Sequence, residues 1–238
     1  MWVSLAVIAF LVSWSVRSLA FGGDGERQTP RSTPSVVASL TASPTPLAFA
    51  AQLPDLSGFS LPLRGACLPD SEALWPNAPR PYRNGIHEGM DLYPGLSCTS
   101  IEIGTPVLAM RDGLVIRADN DYRPLTREEA ARTDSRPDIL DRFRGRQVWI
   151  DHGVDARTGE RIITRYCHLS RVAPSIKEGT MVKAGDVVAF VGNSGTPEAL
   201  DDPNAEVHLH FEVRVGERFL GQGMAFPQVQ QAFRRLFS

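Results

Sequence analysis

The chain has 238 residues, 42% of them hydrophobic, with 25 Lys and Arg against 27 Asp and Glu, for a formal net charge of −2. That charge argues against nucleic-acid binding; lysine occurs only at 177 and 183, and the arginines form no basic cluster of the kind that grips phosphates. Roughly 180 residues read as globular, the size of one ordinary domain.

Residues 2–16 are mostly apolar, Arg17 follows, and Ser18-Leu19-Ala20 is similar to a small-residue cleavage site. The run falls short of the about 20 residues that a spanning helix needs. Residues 1–20 therefore read as a signal peptide, with an uncleaved membrane anchor as the alternative. Either way the remainder is exported. Residues 21–50 read as a disordered linker: Ser/Thr/Pro-rich runs such as Thr41-Ala42-Ser43-Pro44-Thr45-Pro46 carry no periodic apolar face to bury. Residues 51–238 form the folded domain, with its core at 85–220.

Within that domain, Cys67 and Cys98 lie in turn-rich sequence. A disulfide between them would close a loop of about thirty residues, contribute roughly 3 kcal/mol, and suit an exported protein. Alternating or β-branched runs predict strands at 107–110, 114–119, 147–151, 162–169, 187–191 and 207–215, punctuated by Gly113, Gly153, Gly185, Gly192 and Gly195. No βαβ rhythm and no phosphate-binding glycine loop interrupts them. Residues 120–145 are rich in charge. Thr126 with Glu129 three residues on predicts a capped helix start there. Phe226, Val229, Phe233 and Phe237 form one stripe, predicting a short helix over 225–237 that packs on the sheet.

The chemistry concentrates in three histidine motifs. Val207-His208-Leu209-His210-Phe211-Glu212-Val213 alternates, so His208 and His210 share one strand face while Leu209 and Phe211 point into the core. Two imidazoles side by side are half of a metal site. His87 and Asp91, in His87-Glu88-Gly89-Met90-Asp91, can complete it. Two imidazoles and a carboxylate suit zinc, which in catalytic sites takes about three protein ligands and keeps a position open for water. The third motif is Tyr166-Cys167-His168-Leu169-Ser170. Cys167 points away from its neighbours on the strand and reads as a small core residue. His152, which closes a strand before Gly153, reads as structural.

H-x-x-x-D at 87–91, then Tyr-Cys-His-Leu-Ser at 166–170, then His-Leu-His-Phe-Glu at 208–212, in that order, resemble the lysostaphin/LytM-type zinc metallopeptidases, which cut peptide bonds in bacterial cell-wall peptidoglycan. The resemblance covers roughly residues 85–220. It includes Gly104-Thr105-Pro106-Val107, Asp112-Gly113-Leu114-Val115, Ile150-Asp151-His152-Gly153 and Val191-Gly192-Asn193-Ser194-Gly195. It implies a mainly β fold, an antiparallel sheet folded into a groove (duplicated hybrid motif, or barrel-sandwich type) with one short C-terminal helix. It implies one Zn2+ per chain, held by His87, Asp91 and His210. His208 is expected as the catalytic base or its close partner, and His168 as a second catalytic group across the site. A water that the metal activates would attack the scissile carbonyl, and an imidazole would pass a proton to the leaving amine. Glu212, two residues past His210, is a candidate partner for a ligand imidazole.

The implied partners are peptidoglycan stem peptides or cross-bridges, met by an exported monomer. Two rival readings stay open: a non-catalytic peptidoglycan-binding activator of another wall hydrolase, and a secreted metallopeptidase acting on proteins. The chain departs from the family pattern in three places. Residues 120–145 are an insertion. The stretch between Gly195 and His208 is long and carries Glu198, Asp201, Asp202 and Glu206. The approach to His87 reads Asn77-Ala78-Pro79-Arg80-Pro81-Tyr82-Arg83. Both extra segments are expected at the groove rim, where acidic groups would favour a substrate carrying free amines. Arg83 and Asn84 are read as a solvated turn.

Overall fold

The computed structural model describes residues 56–81, 85–132 and 136–238. The segments read as export signal and linker, and Arg83 and Asn84, lie outside the described residues. No described helix is long and apolar enough to cross a membrane.

Short strands dominate. Strands β1 (Pro79–Arg80), β2 (Gly85–Ile86), β3 (Met90–Leu92), β4 (Pro106–Leu108) and β5 (Gly113–Ala118) precede two helices, α1 (Arg127–Ala130) and α2 (Pro137–Phe143). Then come β6 (Val148–Val154), β7 (Arg161–Cys167), β8 (Leu169–Val172), β9 (Met181–Val182), β10 (Val187–Val191), β11 (Leu209–Val215), β12 (Arg218–Phe219) and helix α3 (Phe226–Leu236). The large sheet runs β12-β11-β7-β6-β5-β9, with β3 pairing β11 as well; a second sheet runs β4-β10-β8, and β1 pairs β2. Among the described residues every strand pairing is antiparallel. The mainly β, antiparallel fold is thus as expected, and α3 is the short C-terminal helix.

Strand β11 shows why this sequence makes this sheet. Leu209, Phe211, Val213 and Val215 alternate with polar residues and are buried on the core face. Their neighbours His210, Glu212 and Arg214 face the other way, in register with Cys167, Arg165 and Ile163 on β7. Helix α3 starts with Pro227 in its first turn and closes the core face through Val229, Ala232, Phe233 and Leu236. Phe233 sits edge-on to Trp75 at 5.7 Å and to Phe211 at 6.4 Å. Trp75 is buried and donates its indole N–H to the Pro69 carbonyl at 2.8 Å. Truncating Phe233 to Ala would cost about 3–5 kcal/mol by the usual measure for a buried ring.

The insertion carries more helix than its sequence pattern indicates. Helix α1 has the expected capping box, with Glu129 N–H donating to the Thr126 hydroxyl and the Glu129 carboxylate accepting from Thr126 N–H. Helix α2 was not expected, because its buried residues, Ile139 and Phe143, are too few to show a period. They form a separate small core with Leu125, against which Ala130 and Leu200 pack. Arg127 latches this unit to the second extra segment through Asp201 and the Leu200 carbonyl. Cys67 and Cys98 form the expected disulfide. Cys167 is free and buried.

Candidate metal centre

Three elements bring the expected ligands together. His87 follows β2, and its Nδ1 lies 3.0 Å from the Trp75 carbonyl. That bond turns Nε2 inward. Asp91 sits on β3 directly opposite His210 on β11. Gly89, between His87 and Asp91, has room for no side chain: a Cβ there would lie 2.3 Å from the Phe211 carbonyl and 2.8 Å from the His210 ring.

The donor atoms converge. Asp91 Oδ1 lies 3.0 Å from His87 Nε2 and 2.8 Å from His210 Nδ1, and the two ring nitrogens are 3.0 Å apart. A tetrahedral zinc with bonds of about 2.0–2.1 Å sets its ligand atoms about 3.3 Å apart. A relaxation of a few tenths of an ångström therefore fits zinc to this set. All three residues are buried. Arg80 donates to the other Asp91 oxygen at 3.1 Å.

Charge and burial set the protonation states. Burial lowers the His87 pKa. Burial alone would raise Asp91, but the adjacent His87 and His210 hold it well below the usual carboxylate range. Burial also opposes charge on His210, yet hydrogen bonding to Asp91 and Glu212 wins and raises its pKa to about 9. The other face of His210 meets Glu212, with Nε2 3.5 Å from Oε1.

A second donor cluster, Cys167, His210 and Glu212, lies just behind. It does not suit a cation. Arg144 donates to Glu212 at 2.7 Å, Arg165 and Arg214 at 3.2 Å, and three guanidinium groups repel a further positive charge.

His208 and His168 border the ligand set. His208 Nε2 is 3.8 Å from Asp91 Oδ1, and its Nδ1 bonds the Glu206 carbonyl at 2.7 Å. Tyr93 stacks on the His208 ring at 4.3 Å, and its hydroxyl donates to the Glu206 carboxylate. His168 Nδ1 bonds the Ser194 carbonyl at 2.9 Å, and its ring centre is 4.6 Å from that of His208. Both imidazoles therefore carry the proton on Nδ1 and keep an Nε2 lone pair. Burial depresses both pKa values, and in His168 the neighbouring His208 and His210 depress it further.

His168 corrects one expectation. The strand predicted over 162–169 breaks there, with His168 in left-handed backbone at φ 58° between β7 and β8. That conformation costs on the order of 1–3 kcal/mol for a non-glycine residue and turns the imidazole into the site.

The five residues line one groove of about 790 Å³. Both extra segments reach it, as expected: Leu140, Phe143 and Arg144 from the insertion, and Thr196, Pro197, Glu198 and Glu206 from the later stretch. The acidic rim is smaller than expected. Asp201 is paired with Arg127 and Asp202 accepts from Asn204 N–H, and neither lines the groove. Arg80 and Arg144 also line it, so its charge is mixed. Sequence reasoning missed Tyr93, Arg80 and Arg144: Tyr93 stands two residues past Asp91 and Arg80 in the approach to His87, a nearness that was the available signal, whereas Arg144 lies far from all three motifs in the chain. His152 is structural, as expected, and bridges the Asp112 carbonyl and the Thr164 hydroxyl.

The fold is mainly β, an antiparallel sheet that presents two imidazoles and a carboxylate to a groove. Residues 85–221 match Peptidase family M23, and the chain belongs to that family. Several solved structures are similar. A zinc-containing peptidase from Vibrio cholerae is 26% identical, with 68% of this chain and 38% of that chain covered and a TM-score of 0.43. This chain thus spans well under half of that protein. The catalytic domain of lysostaphin from Staphylococcus simulans is 20% identical, with 68% and 80% covered and a TM-score of 0.35. The catalytic domain of the prophage-encoded protein EnpA from Enterococcus faecalis, as a mutant, is 21% identical, with 68% and 92% covered and a TM-score of 0.39. The sequence matches no curated protein at a significant level.

Proposed function

We propose that this chain is a zinc-dependent endopeptidase that hydrolyses peptide bonds in bacterial cell-wall peptidoglycan. One observation carries the reading: His87 Nε2, Asp91 Oδ1 and His210 Nδ1 lie within 3.0 Å of one another, beside two imidazoles with free Nε2 atoms. Membership of a peptidase family supports it.

His87, Asp91 and His210 would hold the metal. Zinc bound there would polarise a peptide carbonyl and acidify a water. The protein's own groups do the rest. Arg80 ties down Asp91 Oδ2, leaving Oδ1 aimed at the two ligand imidazoles. His208 is the base: neutral at pH 7, its Nδ1–H anchored to the Glu206 carbonyl, it accepts a proton at Nε2 and returns it to the leaving amine. His168, anchored to the Ser194 carbonyl, offers its Nε2 from the other side to orient the attacking group.

Export belongs to the same proposal. Residues 1–20 direct the chain out of the cytoplasm, residues 21–50 space the domain from its point of attachment or cleavage, and the Cys67–Cys98 disulfide suits that compartment. The test is to incubate the purified chain with isolated peptidoglycan and identify released fragments by mass spectrometry. New peptide termini that vanish with chelator and return with zinc are expected. Intact peptidoglycan, from protein carrying one zinc per chain, would overturn the reading.

A further inference from the structure

The insertion at 120–145 does more than wall the groove. We propose that Arg144, at its end, is a positioning residue that ties all three histidine motifs together and thereby sets the affinity of the metal centre. The inference rests on the metal reading of His87, Asp91 and His210.

Arg144 follows α2 directly and contacts each motif by a different group. Its Nε donates to Glu212 Oε1 at 2.7 Å, two residues from His210. Its Nη2 donates to Glu88 Oε2 at 2.7 Å, one residue from His87. Its backbone carbonyl accepts the N–H of His168 at 2.9 Å. The next residue, Gly145, is held as tightly: it has φ 67°, and a Cβ there would stand 2.0 Å from the Ser194 carbonyl, the group that fixes His168 Nδ1. Arg146 N–H donates to the Ser194 hydroxyl at 2.9 Å. Residues 144–146 therefore hold the backbone of the third motif while one side chain spans the first two.

The other guanidinium groups nearby do not duplicate this. Arg165 and Arg214 reach Glu212 through Oε2. Oε1, the oxygen beside His210 Nε2, receives its guanidinium from Arg144. Glu212 is fully buried while the Arg144 side chain covers it, and a groove water admitted in its place would bring a hydrogen bond but no positive charge. Without Arg144, that carboxylate oxygen loses its charge-assisted hydrogen bond, and Glu212 holds the His210 imidazole less firmly in the position that aims Nδ1 at Asp91. Glu88 loses one of its two arginine partners, Arg214 remaining. Losing the direct partner of a ligand imidazole weakens metal binding by roughly 10–100-fold, and Arg144 acts one bond further out, through Glu212, so the lower end of that range applies.

A residue that only fastened the insertion would behave differently. It would lower thermal stability and leave zinc affinity alone. Arg127 is the control: it latches the insertion to Asp201 and Leu200 on the exposed surface and touches none of the three motifs.

The experiment is a zinc titration of the full chain in competition with a chromophoric chelator, run on wild type, Arg144→Ala, Arg144→Lys and Arg127→Ala, with circular dichroism to verify folding. Arg144→Ala is expected to bind zinc about tenfold more weakly. Arg144→Lys should recover part of that loss, since one ammonium serves one carboxylate and not both. Arg127→Ala should match wild type. Zinc affinity of folded Arg144→Ala within about twofold of wild type would overturn the inference while leaving the metal reading intact. If Arg144→Ala fails to fold, Arg144→Lys decides: weaker binding supports the inference and wild-type affinity overturns it. A wild type that takes up no zinc would sink the metal reading and this inference with it.

Discussion

Replacing His208 with alanine separates turnover from metal binding. Its Nε2 stands 3.8 Å from Asp91 Oδ1, whereas the three donor atoms lie 2.8–3.0 Å from one another. Removing it should leave the ligand set whole and zinc affinity within a few-fold of wild type. The structural cost is modest. The Tyr93 ring loses its stacking partner, worth about 0.5–1.5 kcal/mol. Catalysis should suffer far more, by roughly 10²–10⁴-fold for a positioned acid–base group. That range corresponds to about 2.7–5.4 kcal/mol of barrier at about 1.36 kcal/mol per tenfold. Steady-state rates on peptidoglycan fragments, with zinc per chain measured by elemental analysis, check both halves. A near-normal rate would refute the base assignment. Loss of zinc together with rate would show His208 to be a ligand.

Three further outcomes are expected. Tyr93→Phe keeps the stack on His208 and should hold kcat within about threefold, while Tyr93→Ala frees the imidazole and should lower it at least about tenfold, read from steady-state kinetics. Replacing Cys67 and Cys98 with serine opens a loop of sequence separation 31 and should cost about 3–4 kcal/mol in denaturant unfolding; unchanged stability would contradict the loop-entropy reasoning. His210, with its pKa raised to about 9 in the metal-free site, must shed a proton to bind zinc. Zinc affinity should therefore climb about tenfold per pH unit between 6.5 and 9 and flatten above, with proton release seen by calorimetry in buffers of different ionisation heat. The sign for folding is opposite. A raised pKa stabilises the metal-free fold below its unfolded value, and that contribution fades as pH rises through about 9. Metal-free protein should accordingly melt lower at pH 9 than at pH 6.5.

The site was legible to different depths. The alternation of Val207–Val213 alone placed His208 and His210 on one face, because strand periodicity is a local property. The partnership of His87 and Asp91 with them was legible only through the order of three motifs, since β3 and β11 pair across more than a hundred residues. Thr126 and Glu129 announced α1 because a capping box is complete within four residues. Helix α2 was hidden, its two buried side chains finding their apolar partners in Leu125, Ala130 and Leu200. Arg144 was hidden for the same reason, since Glu88 and Glu212 lie 56 and 68 residues away. In the acidic stretch after Gly195, Glu198 and Glu206 reach the groove but Asp201 and Asp202 do not, because spacing does not reveal that Asp201 is paired with Arg127.

The donor set is tested most directly by anomalous scattering at the zinc edge from crystals of the zinc-loaded chain. One peak is expected about 2.0–2.1 Å from each of His87 Nε2, Asp91 Oδ1 and His210 Nδ1, with His208 and His168 outside bonding distance. A peak between Cys167, His210 and Glu212, or a fourth bond to His208, would contradict it.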